Sequence, residues 1–180
     1  MAHTNAREAN LLGTLSLAVA GRMESAVASP LGPSAPAALS ALDAYLGGEP
    51  IDALRQALGL THSGAVRLVD RLAEAGLAER RRGADARTVA VTLTAAGRAA
   101  AHAVRTAREA ALEDALAALS PAERVTLGAL HEKLLGGLAG DRASARRMCR
   151  LCDVEACGHH RGTCPVTEAR LARAAESPAA

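Results

Sequence analysis

Apolar residues recur at helical spacing through most of this chain and alternate in one short stretch only. From Asn5 to Ala28, Leu12, Leu15, Val19 and Met23 form a stripe too apolar for a lone surface helix, so it needs something to pack on. Ser29 to Pro36 is a Pro- and Gly-rich linker. A helix over Ala37–Leu46 is ended by Gly47-Gly48. Pro50 suits the first position of a short helix, Ile51 to Leu58, which Gly59 stops and whose Leu54 and Leu58 face inward. Thr61 is a good N-cap and Gly76 a good stop for the next helix. On it, Ala65, Leu68, Leu72 and Ala75 face a core, and Ser63, Arg67, Arg71 and Glu74 face away. After Gly76 the period changes. Leu77 to Arg81 reads as a short strand, residues 82–86 as a hairpin tip, and Thr88, Ala90 and Thr92 against Val89, Val91 and Leu93 as a half-buried second strand. A long helix from Thr94 to about Leu119 shows Val104, Ala107 or Arg108, Ala111, Ala115 and Leu119 on one face. Ser120-Pro121-Ala122-Glu123 is a complete capping box, and the helix it opens bears Leu127, Leu130, Leu134 and Leu138 before ending near Gly140.

The expected fold is mainly α with a small β-hairpin wing. Two short helices, a Gly-containing turn and the Thr61 helix make a helix-turn-helix, and the hairpin makes its wing. In that arrangement the helix enters a DNA major groove and the wing tip reaches the neighbouring minor groove. His62 and Ser63 at the helix N-terminus, Arg67 and Arg71 on its outer face, and Arg81 and Arg82 in the hairpin are the candidate contacts. The plainer alternative for Arg67 and Arg71 is a solvated helix face.

Four runs sharpen this picture: Arg-Leu-Val-Asp-Arg-Leu at 67–72, Ala-Gly-Leu at 75–77 followed by Arg80 and Arg81, Asp-x-Arg at 85–87, and Leu-Thr-x-x-Gly at 93–97. In this order and spacing they resemble the MarR family of bacterial transcription regulators, over about residues 5 to 139. The resemblance implies a winged helix-turn-helix DNA-binding domain at 35–93, and dimerisation helices at 1–30 and 94–140. It implies a homodimer acting on an inverted-repeat operator, with repression as the expected sense. It also implies that Arg87 reaches the minor groove while Asp85 helps hold the hairpin; the plainer alternative for that pair is a surface salt bridge of little worth. A small-molecule, metal or oxidant effector is expected. The two surplus Ala/Leu-faced helices after the wing point independently to a two-fold partner.

Charge supports the wing. The 180-residue chain has a formal net charge of only +2, yet residues 78–98 hold Arg80, Arg81, Arg82, Arg87 and Arg98 against Glu79 and Asp85. Arginine there suits planar hydrogen bonding to phosphates and groove edges. An Ala-rich composition with one Tyr and no Phe or Trp favours helices. Leu11 to Ala20 is rather like a signal peptide, but Glu8 weakens its charged region and the helical stripe continues past any cleavage point, so a cytoplasmic protein is expected. No stretch suits a bilayer span. There is no Ser/His/Asp context, phosphate loop or paired carboxylates, so no enzyme is expected. His102 and His131 read as interfacial helix histidines before they read as ligands, and Tyr45 alone makes no aromatic pocket.

All four cysteines lie in the last stretch, 141–180, as Cys149-x2-Cys152-x4-Cys157-x6-Cys164, followed by Pro165. Clustering of this kind argues for metal or redox chemistry over a disulfide framework. The C-x2-C pair would place two thiolates on one ion, and the later two would complete a tetrahedral all-thiolate set, with zinc as the leading metal. His159 and His160 are near enough to replace a ligand, and Arg146, Arg147, Arg150 and Arg161 would offset the site's negative charge. An iron–sulfur cluster, to which the Pro after the last Cys lends weight, remains open, as do a thiol switch and no role at all. A redox protein or redox-sensing regulator using the same cysteines is the alternative function. With few apolar residues of its own, the tail is expected to be ordered only when loaded.

Overall fold

Leucine and alanine, with no large aromatic to fill space, build a core of short side chains. The computed structural model describes residues 4–82 and 88–176. Among these residues eight α-helices and one hairpin follow in order: α1 (Thr4–Ala26), α2 (Ala35–Ala41), α3 (Ile51–Leu58), α4 (His62–Glu74), β1 (Ala78–Arg82), β2 (Val89–Leu93), α5 (Ala95–Leu116), α6 (Pro121–Leu138), α7 (Arg142–Met148) and α8 (Pro165–Glu176). The core sits inside the winged helix: Leu39, Leu42, Leu46, Leu54, Leu68, Val69, Leu72 and Val91 are buried together. The fold is mainly α with a two-stranded antiparallel wing, as the periodicity requires.

The caps behave as their residue types demand. Thr61 accepts the Gly64 N–H at 3.1 Å, Thr94 accepts that of Gly97 at 3.0 Å, and the Ser120–Glu123 capping box closes in both directions. Three details depart from the expected pattern. The helix expected over Ala37–Leu46 starts at Ala35 and passes into a π-helical turn, Leu42–Leu46, which keeps Leu42 and Leu46 in the core. Pro50 does not begin α3. It stays extended, pairs with Ala90, and makes residues 48–50 a short third edge to the wing, with Gly48 N–H donating to the Val91 carbonyl at 3.0 Å. Ala90, placed on the wet face by strict alternation, is therefore buried, while Val89 is 44% exposed. On α4 the core face includes Val69 and leaves out Ala75, which is exposed just past the end of the helix.

One crossing fixes the wing to α5. The Leu77 carbonyl accepts the Thr94 N–H at 3.0 Å and passes so close to Gly97 that a Cβ there would stand 1.8 Å from its oxygen. The Leu-Thr-x-x-Gly run therefore has a steric reason: only glycine admits the approach.

Beyond α5 the packing thins. α1 lies along α5, and Val19, Met23 and Val27 are half-buried or buried, while Leu11, Leu12 and Leu15 remain exposed. α6 has no buried residue at all. The tail is more structured than its composition suggests: α7, capped by Asp141, and α8 enclose a small cluster of Ala139, Cys164 and Val166. Replacing Gly97 by Ala is expected to lower stability by about 1–3 kcal/mol through this overpacking, read from urea denaturation.

Candidate nucleic-acid interface and cysteine cluster

The α4 helix presents His62, Ser63 and Arg67 as an exposed row over its first two turns. Its buried face is held by Ala65, Leu68, Val69 and Leu72, so the outward direction of the row is set by core packing. Asp70 and Arg80 join α4 to β1 through a 2.6 Å ion pair. Arg71 donates from Nε to the Leu31 carbonyl at 3.1 Å and so ties α4 to the linker before α2. Arg81 pairs with Glu79 on its own strand at 2.5 Å, and Arg82 is exposed at the end of β1. Asp85 and Arg87 lie outside the described residues.

The second site is the tail. Cys149 follows α7 directly and Cys164 directly precedes α8; all four cysteines are free thiols and all line one cavity of about 340 Å³ with Tyr45, Arg146 and His159. A second cavity of about 240 Å³ lies against the same four cysteines on the side of Arg108 and Arg150. The intervening loop is shaped by Asp153, which accepts the N–H groups of Glu155 and Ala156 at 2.8 and 3.0 Å, and by Gly158 at φ 75°. The thiols feel one another. A hydrogen bond with Cys152 holds Cys149 below the ordinary thiol range and pushes Cys152 up, while burial pushes Cys157 up to about 12. Burial also raises the Tyr45 hydroxyl to about 12.

Whether these residues suit an anionic metal–thiolate centre can be tested on Arg108. Its Nε is buried and has no hydrogen-bond partner, and its side chain lines the cavity with the four cysteines. A buried, unpartnered guanidinium nitrogen is costly unless a negative group compensates it, and a cluster of thiolates is such a group. The donor set fits. Among the described residues, however, no three His, Cys, Asp or Glu side chains are gathered tightly enough to hold a single ion as they stand. Pro165 is explained without reference to a metal: it is the first residue of α8, where the missing N–H costs nothing, and the Cys164 carbonyl accepts from Glu168 at 2.9 Å. Of the basic residues expected near the cysteines, Arg146 and Arg150 line the cavities, while Arg147 lies by Gly59 instead. His160 faces Glu155 at 3.6 Å, and His102 and His131 are exposed.

No family model matches the chain, and comparison with curated proteins gives no match. Solved structures do match. A MarR family protein from Bacillus stearothermophilus is 26% identical, with a TM-score of 0.62 over 73% of this chain and 92% of that one. A MarR family transcriptional regulator from Rhodococcus sp. RHA1 is 20% identical, with a TM-score of 0.57 over 76% and 96% of the two chains. The chain has the MarR-family fold. The MarR-type part accounts for nearly the whole of each neighbour, leaving about a quarter of this chain without a counterpart in them. No helix among the described residues is long and apolar enough to cross a membrane.

Three residues of this chain are not legible as site residues from the sequence. Tyr45, Arg105 and Arg108 come from the π-helical turn and α5, far from the cysteines in sequence. Arg105 and Arg108 stand at i, i+3 on one helix side, a spacing that marks a shared face but not what it meets. The Asp70–Arg80 pair, each side chain about 40% exposed, tests how firmly the wing is bound to α4. A double-mutant cycle in urea is expected to give a coupling of about 0.2–1 kcal/mol, the range of exposed pairs.

Proposed function

We propose that this protein is a sequence-specific DNA-binding transcription regulator, a repressor in sense, acting in the cytoplasm as a homodimer on an inverted-repeat operator. The observation that carries the reading is the exposed His62–Ser63–Arg67 row on a core-anchored α4, beside a strand that ends in Arg81 and Arg82. In this reading α4 lies in a major groove, Arg67 and the N-terminal residues meet base edges and phosphates, and the wing follows the minor groove, the role that the family resemblance implies for Arg87. Arg71 contributes by fixing the linker as well as by its charge. The uncovered leucines of α1 and α6 supply the two-fold interface, which would set the half-sites about one helical turn apart.

The tail is proposed to hold a metal through Cys149, Cys152, Cys157 and Cys164, with zinc as the ion and Arg108 as part of its charge balance. Such a centre supplies rigid tetrahedral ligation when bound. A second reading is an iron–sulfur cluster serving a redox-sensing regulator, held by the same four thiols that line the cavity. The regulator reading is tested with an operator selected from random duplex DNA. Arg67→Ala should relax preference at one base pair by about 1–3 kcal/mol while other positions keep theirs. Uniform weakening would make Arg67 a phosphate contact, and unchanged binding would remove α4 as the reading helix.

A further inference from the structure

The tail is anchored at both ends, to different parts of the molecule. At one end α7 packs on α3, Tyr45 donates its hydroxyl to the Arg146 carbonyl at 3.1 Å, and the Arg147 Cδ lies 3.6 Å from where a Cβ on Gly59 would stand. At the other end α8 packs on α6, and Arg173 donates to the carbonyls of Gly136 and Gly137 at 2.8 and 3.3 Å. Between the anchors run the four cysteines. Arg105 of α5 joins the junction from a third side, with Nη1 3.4 Å from Asp43 and Nε 3.9 Å from Asp153 of the cysteine loop.

These contacts place the cysteine site on the route from the reading head to α6. α3 packs directly on α4, so whatever holds α7 holds the platform beneath the reading helix. Besides the packing of α7 on α3 and of α8 on α6, the polar contacts along this strap are single hydrogen bonds and partly exposed ion pairs, each weak in water. The small core there joins only Cys164 and Val166 of the tail to Ala139 at the end of α6. What joins the sulfurs therefore decides how rigid the strap is. A dimer must present both α4 helices in one relative orientation, and lobes that wander pay for every unproductive orientation in apparent affinity.

We propose that a thiophilic divalent ion at the four cysteines is the regulator's own effector, locking α3 to α6 through α7 and α8, so that the loaded protein binds its operator more tightly than the stripped one. This rests on the metal-centre and DNA-binding readings above. Tyr45 and Arg105 are its positioning residues: they touch neither DNA nor ion, yet pass the state of the strap to the reading head.

The test uses the full chain purified without oxygen, with zinc as the probe and the selected operator duplex. Zinc content, molecular mass and operator Kd are measured for loaded and chelator-stripped protein, in the wild type and in a Tyr45→Phe, Arg105→Ala double variant. The wild type is expected to hold one zinc per chain, to keep its mass and fold when stripped, and to lose roughly tenfold in affinity. The double variant is expected to keep its zinc while the ratio of the two affinities falls to about twofold or less, below the usual range of such couplings. If it fails to fold, Tyr45→Phe alone is read by hydrogen exchange: zinc must slow exchange across α3 in the wild type and do so far less in the variant. Equal affinity of loaded and stripped wild type overturns the coupling and leaves the regulator and metal centre standing. An undiminished affinity ratio, or an unchanged effect of zinc on α3 exchange, in the variant overturns the assigned route. Unfolding on stripping makes the ion a structural staple and overturns the regulatory role. A chain with no zinc overturns the metal reading and the coupling with it, whereas failure to select any operator overturns the regulator reading first.

Discussion

An 18-residue helix with no buried side chain is the constraint on which the rest depends. α6 exposes Val125, Leu130, Leu134 and Leu138, and α1 exposes Leu11, Leu12, Leu15 and Leu17. Helices of this kind draw their stability from tertiary packing of an apolar face, and exposed apolar patches of this extent mark interaction surfaces. The winged helix, by contrast, closes its own core around Leu46, Leu54, Leu68 and Leu72. The molecule thus divides into a winged helix with a closed core and a set of helices with an uncovered apolar face; in the proposed dimer a second chain covers that face, and the partition sets where α4 can stand on DNA.

Where local chemistry decides structure, the chain is legible. Thr61, Thr94 and Ser120 cap the helices their side chains suggest, and the change of period after Gly76 marks the wing. Legibility fails where a distant segment intervenes. Pairing of residues 48–50 with β2 buries Ala90, leaves Val89 exposed and keeps Pro50 out of α3. Gly97 was visible as part of a motif, but its reason, the Leu77 carbonyl, is visible only in three dimensions.

The candidate sites divide in the same way. The exposed row on α4 follows from helical period alone, and the four cysteines announce themselves by clustering. What surrounds them does not. α8 shares its composition with an ordinary polar tail, and its first residue, Pro165, had lent weight to an iron–sulfur pattern that the helix start accounts for. Tyr45, Arg105 and Arg108 reach the cysteines from segments separated by more than forty residues of chain. Such convergence is a property of packing, and no period in the sequence encodes it.

Because α1 and α6 form the shared interface of the proposed dimer, the mass of the protein in solution tests that dimer most directly. Sedimentation equilibrium of the full chain should return twice the 18.3 kDa chain mass through the low micromolar range, without DNA and without added metal. A single-chain mass at those concentrations would leave the leucines of α6 unexplained and contradict the central claim.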